Sequence, residues 1–101
     1  MKLAAITRGS GNVFADLGFS PSEAQNLRLR SELMTALRKF IEKERLTQTE
    51  AAKRLKVSQP RVSDVIRGKI SRFSLDSLVT MLTHAGMDVD VKIRLSSRRA
   101  A

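Results

Sequence analysis

The residues best suited to chemistry in this chain lie between Thr47 and Lys69. Ser58 is followed by Gln59, Arg61, Ser63, Asp64 and Arg67, with the apolar Val62, Val65 and Ile66 between them. As a helix, this segment puts the three apolar residues on one face and turns the polar ones outward. Gln can bond adenine bidentately and Arg can bond guanine the same way, so the outward surface suits base edges in a major groove. Just upstream, Thr47-Gln48-Thr49-Glu50 reads as a capping box that starts another helix. A capped helix N-terminus offers unpaired N–H groups and a favourable dipole to an anion such as a backbone phosphate. Thr47 and Ser58 head the two helices, and Lys69 adds a cation just past the second.

These side chains need elements to hold them. Ser20-Pro21-Ser22-Glu23 is a strong helix start: a capping hydroxyl, a proline at the first helical position and an acidic partner for a capping box. Leu33, Leu37, Phe40 and Ile41, with Met34 beside them, follow at helical spacing. The helix is expected to reach Glu44 or Arg45, and its continuity near Ser31 is left open. The short helix after Thr47 turns Ala51, Ala52 and Leu55 inward. Lys56-Val57-Ser58 is a tight connection, and Ser58 is expected to cap the helix over 59–67, which Gly68 ends. Ser74 caps a fourth helix, with Leu75, Leu78, Val79 and Leu82 on one face and Gly86 as its stop. Then the period changes to two. Met87, Val89, Val91, Ile93 and Leu95 alternate with Asp88, Asp90, Lys92 and Arg94, which predicts a half-buried strand over 87–95. Residues 1–19, with three glycines, are expected to be flexible apart from a short ordered stretch at Asn12-Val13-Phe14; the tail 96–101 is expected to be disordered.

Charge narrows the partners. The net charge is +9 over 101 residues, and residues 47–72 hold seven basic side chains against two acidic ones, so more than half the excess lies in a quarter of the chain. Such a concentration favours a polyanion, nucleic acid first. There is no cysteine and one histidine, His84, which excludes thiol catalysis and any ordinary zinc site. Nothing near His84 or the serines suggests a nucleophile–base pair, and no Gly-rich phosphate loop occurs, so no enzymatic activity, metal or cofactor is expected. With no Trp or Tyr, the chain lacks the stacking aromatics of common single-strand RNA modules. No apolar run approaches the roughly 20 residues that span a bilayer, and a cytoplasmic location is expected.

Two segments carry a family resemblance. Leu46-Thr47-Gln48-Thr49-Glu50-Ala51-Ala52-Lys53-Arg54-Leu55 and Val57-Ser58-Gln59-Pro60-Arg61-Val62-Ser63-Asp64-Val65-Ile66-Arg67-Gly68 resemble the helix-turn-helix of the lambda-repressor-like (Cro/XRE) family. The resemblance implies a bundle of four to five helices in which Gln48 contacts a phosphate and braces the recognition helix. It implies that Gln59, Arg61, Ser63 and Asp64 reach base edges and that Arg67 touches the backbone. More broadly, Gly11-Asn12-Val13-Phe14-Ala15-Asp16-Leu17-Gly18, a leading helix, the helix-turn-helix and a Val-rich terminal strand resemble small HigA-like antitoxins. That resemblance implies a cognate RNase-type toxin as partner and repression of the protein's own operon. The alternative is an XRE-type regulator without a toxin.

The expected fold is therefore mainly α: a DNA-binding helix-turn-helix domain over 20–86, followed by one strand over 87–95. A lone strand leaves a row of unpaired donors and acceptors. Its mates within the chain, Leu3 to Ile6 and Asn12 to Phe14, are weak. A second copy is the better mate, with Val89, Val91 and Ile93 at the interface of a homodimer on double-stranded operator DNA.

Overall fold

The first element that the rest packs on is a 23-residue helix. In a computed structural model that describes residues 12–95, it runs unbroken over Pro21–Lys43 as α2. Its start is as expected: the Ser20 hydroxyl accepts a hydrogen bond from the Glu23 amide at 3.3 Å, with Pro21 at the first position. Glu23 does not reach back to the Ser20 amide; its carboxylate accepts from the Ser20 hydroxyl instead, at 3.2 Å. The helix passes Ser31 without a break; beside it Arg28 pairs with Glu32 one turn on at 2.7 Å, and the Thr35 hydroxyl donates to the Ser31 carbonyl at 2.9 Å. Leu33, Met34, Ala36, Leu37 and Ile41 form its buried stripe.

Three shorter helices pack around that stripe. These are α3 over Gln48–Leu55, α4 over Gln59–Ile66 and α5 over Leu75–His84. They contribute Ala51, Leu55, Val62, Val65, Leu78, Met81 and Leu82 to one aliphatic core, which Phe73 closes. Two expectations about faces need correction. Val62 and Val65 are fully buried, but Ile66 is 40% exposed: one residue further round the helix than Val65, it lies past the edge of the inward face. On α5 the inward row is Leu78, Met81 and Leu82; Met81 takes the place expected for Val79, which is 38% exposed. The α5 row keeps the i, i+3, i+4 rule with a shifted phase, while the α4 row keeps only its i, i+3 pair.

The chain before α2 is more structured than its glycines suggest. Within the segment expected to be flexible, Val13–Asp16 form a four-residue helix, α1, packed on α2. Asn12 makes this possible from both ends of its side chain. Its Oδ1 accepts from the Phe14 amide at 2.9 Å, and its Nδ2 donates to the Ala24 carbonyl at 3.0 Å. The candidate mate Leu3 to Ile6 and the tail 96–101 lie outside the described residues.

The expected C-terminal strand is not formed. Among the described residues there is no strand at all, and residues 87–95 have no regular structure. The physical reason lies in what a strand is: a ladder needs a partner, and Asn12 to Phe14, the candidate mate that is described, belongs to the cap and first turn of α1. Met87 and Val89 still pack against the core, while Val91, Ile93 and Leu95 stand out from it.

Because Leu37 is completely buried where α2 meets the other helices, Leu37→Ala is expected to lower unfolding stability by about 2–5 kcal/mol. Chemical denaturation followed by circular dichroism checks this; a loss below about 1 kcal/mol would show that α2 is not the packing centre.

Candidate nucleic-acid interface

The α3–α4 pair is fixed by its turns. The Thr47 hydroxyl accepts from the Glu50 amide at 3.1 Å, and the Glu50 carboxylate accepts from the Thr47 amide at 2.9 Å, which completes the expected capping box. α3 ends on Lys56, whose φ of 59° is left-handed, and the Val57 amide then donates to the Ala52 carbonyl at 3.0 Å. This reversal places Ser58 at the start of α4. Ser58 has cap geometry but its hydroxyl makes no capping bond. Pro60 explains why: it removes the N–H of the second helical position, and the amide of the third, Arg61, bonds the Ser58 carbonyl instead. The far end of α4 closes at Gly68, whose φ of +71° suits glycine best.

The outward side of α4 is mostly unengaged. Gln48, Ser58, Gln59 and Arg67 are exposed, Ser63 and Lys69 are half-buried, and none of these six side chains makes a hydrogen bond among the described residues. A helix with its side chains is about 10–12 Å across and a major groove is about 12 Å wide, so α4 fits such a groove with Gln59 and Ser63 on its outward surface.

Arg61 and Asp64 are placed differently from their expected base-reading positions. The Arg61 guanidinium stacks on Phe73, 4.2 Å from the ring centroid, and its Nη1 donates to the Arg72 carbonyl at 2.8 Å. Stacking of this kind contributes about 0.5–2 kcal/mol, and a hydrogen bond from a charged group about 1.5–3 kcal/mol. The Asp64 carboxylate lies 3.5 Å from Arg72. Both side chains therefore engage the turn after α4, where Ile70–Arg72 form a short 3-10 helix. Arg30, from α2, donates to the carbonyls of Ile70 at 3.2 Å and Phe73 at 3.1 Å and holds the same turn from behind. Arg54 lies over the Phe40 ring at 5.1 Å. His84 is structural: its Nδ1–H donates to the Leu55 carbonyl at 3.1 Å and ties α5 to the end of α3.

Arg72, Arg30 and Phe73 were not singled out by sequence reasoning. The contacts they make at the 69–73 turn span 8 to 43 residues of chain, beyond any local spacing rule; the one available signal was Arg72's place within the basic stretch. Among the described residues there is no cluster of side chains able to hold a metal ion, and no helix is long and apolar enough to cross a membrane.

Comparison with known proteins agrees with this geometry. Residues 13–94 match the model of a helix-turn-helix domain family. A solved structure described as an XRE family transcriptional regulator is 35% identical, with a TM-score of 0.68, covering 78% of this chain and 89% of that one. The chain belongs to the XRE-type helix-turn-helix family. No curated protein matches it. In this XRE-type chain the matched region begins at Val13, so α1 lies inside the family's domain.

The two helix starts are expected to respond differently to the same substitution. Thr47→Ala should cost about 1 kcal/mol of stability through loss of its cap. Ser58→Ala should change stability by less than about 0.5 kcal/mol, since its hydroxyl caps nothing. Urea denaturation of both variants checks the difference; equal losses would mean that Ser58 caps α4 in solution.

Proposed function

We propose that this XRE-family DNA-binding regulator is a sequence-specific repressor that reads operator DNA with α4 and serves as the antitoxin of a type II toxin–antitoxin pair. The observation that carries the DNA reading is the outward surface of α4. The side chains of Gln59, Ser63 and Arg67 make no hydrogen bond there among the described residues, beside the exposed Gln48 and within the most basic stretch of the chain. Gln59 and Ser63 read base edges, while Thr47, Gln48, Ser58, Arg67 and Lys69 hold the backbone. The activity is binding alone, with no catalytic step and no cofactor, and it takes place in the cytoplasm, where the operator is.

The antitoxin reading rests on the HigA-like layout and on chain that the DNA interface leaves unused. Val13, Leu17 and Phe19 are exposed apolar residues outside the helix-turn-helix, and a protein partner would cover them. In this reading the protein neutralises an RNase-type toxin encoded beside it and represses the shared operon. The protein works as a homodimer. Residues 87–95 keep an alternating pattern with Val91 and Ile93 exposed, and a second copy supplies the ladder that one chain lacks, with Val89 beside them. Two copies of α4 would then read half-sites about 34 Å apart.

Base reading and backbone holding separate in a binding assay. Gln59→Ala is expected to cost about 1–3 kcal/mol and relax preference at one base pair, whereas Arg67→Ala should weaken all sequences alike and lower the salt slope by about 1. Wild-type binding by both variants would show that α4 does not face the DNA.

The partner readings have their own outcomes. Co-expression with the neighbouring gene product should give a stable complex and rescue growth; neither result appears if the protein is an XRE-type regulator without a toxin. Val91→Pro removes a backbone donor and should give monomers by sedimentation, and a variant that stays dimeric rules out pairing through 87–95.

A further inference from the structure

The 69–73 turn is anchored from two sides. Arg30 holds the carbonyls of Ile70 and Phe73 from α2, and Arg61 holds the Arg72 carbonyl and the Phe73 ring from α4. Asp64, one turn after Arg61 on α4, faces the guanidinium that this turn carries, that of Arg72. The Arg72 side chain is 58% exposed. The result is a cation held at the flank of the recognition helix by residues of that helix.

Geometry decides what such a cation would meet. A helix and its side chains nearly fill a major groove, so a segment carried beside the helix faces the sugar–phosphate wall and not the base edges. We infer that Arg61 is a positioning residue and not a base reader: it fixes the 69–73 turn as a phosphate-contacting element whose cation is Arg72, with Asp64 as that cation's partner in the free protein. This rests on the role of α4 proposed above. Before DNA arrives, Asp64 holds Arg72 in place and offsets its charge. The 3.5 Å contact is long against the 2.7–2.9 Å of a strong charge-assisted bond, so a phosphate that offers two oxygens to the guanidinium displaces the carboxylate.

The test uses duplexes that the wild-type protein enriches from a randomised pool, a set of their single-base variants, and titrations at several salt concentrations. Arg72→Ala is expected to weaken all duplexes alike and to lower the slope of log K against log salt by about 1. Arg61→Ala and Arg61→Lys are expected to do the same, although Arg61 itself touches no phosphate. The double variant Arg61→Ala with Arg72→Ala should match Arg72→Ala alone and not sum the two losses. Asp64→Asn should tighten binding to every duplex. Loss of preference at one base pair in Arg61→Ala, with the slope unchanged, would overturn the inference. So would full additivity in the double variant, weaker binding by Asp64→Asn, or a lower melting temperature with an intact slope, which marks a purely structural role. These outcomes leave the role of α4 standing; a wild type that enriches no duplex removes that role and this inference together.

Discussion

Two eight-residue helices do not hold their shape alone in water. Isolated helices shorter than about 12–15 residues are marginal even with favourable composition. α3 and α4 therefore depend on burial: Leu55 from one, Val62 and Val65 from the other, all inaccessible to solvent beside Leu37 and Met34 of α2. The long helix can serve as their base because it is capped at Ser20 and carries buried residues from Ala24 to Ile41. Each later element adds to the same core, and Phe73 closes it next to the turn that follows α4. The outward surface of α4 is polar because its other face has to be apolar to hold the pair together.

Arginine has two uses in this chain. Arg30 and Arg61 point at backbone carbonyls and the Phe73 ring, where a planar guanidinium can bond and stack at once. Arg67 is exposed and unengaged among the described residues. A positive stretch read along the sequence thus divides into cations that hold the fold and cations that face outward. The net charge records only their total.

The helix boundaries were legible because their signals are local. Serine or threonine with an acidic partner three residues on marked Ser20 and Thr47, a serine ahead of an apolar row marked Ser74, and glycine marked the stops at Gly68 and Gly86. Local signals failed where the deciding contact is distant. α1 depends on Asn12 reaching the Ala24 carbonyl, and nothing in the glycine-rich start announces that bond. Ser58 was read as a cap because serine usually is one; Pro60, two residues on, removed a donor the cap would have used. The alternation over 87–95 reads as a strand, and none forms there, because alternation cannot supply a second strand. Arg61 and Asp64 were read from their outward positions on a helix, and it was the folding back of the following turn that engaged them.

The unengaged side chains of α4 bear on how such a protein can diverge. Gln59, Ser63 and Arg67 make no side-chain hydrogen bond among the described residues, and none belongs to the buried core. Exchanging them leaves stability nearly unchanged, as is usual for surface positions without special contacts. Arg61 has no such freedom, since its replacement loosens a turn as well as changing a side chain. The outward surface of α4 can therefore change at three positions through single substitutions with little risk of unfolding. Descendants of one scaffold could carry different surface chemistry there while their cores stay nearly the same.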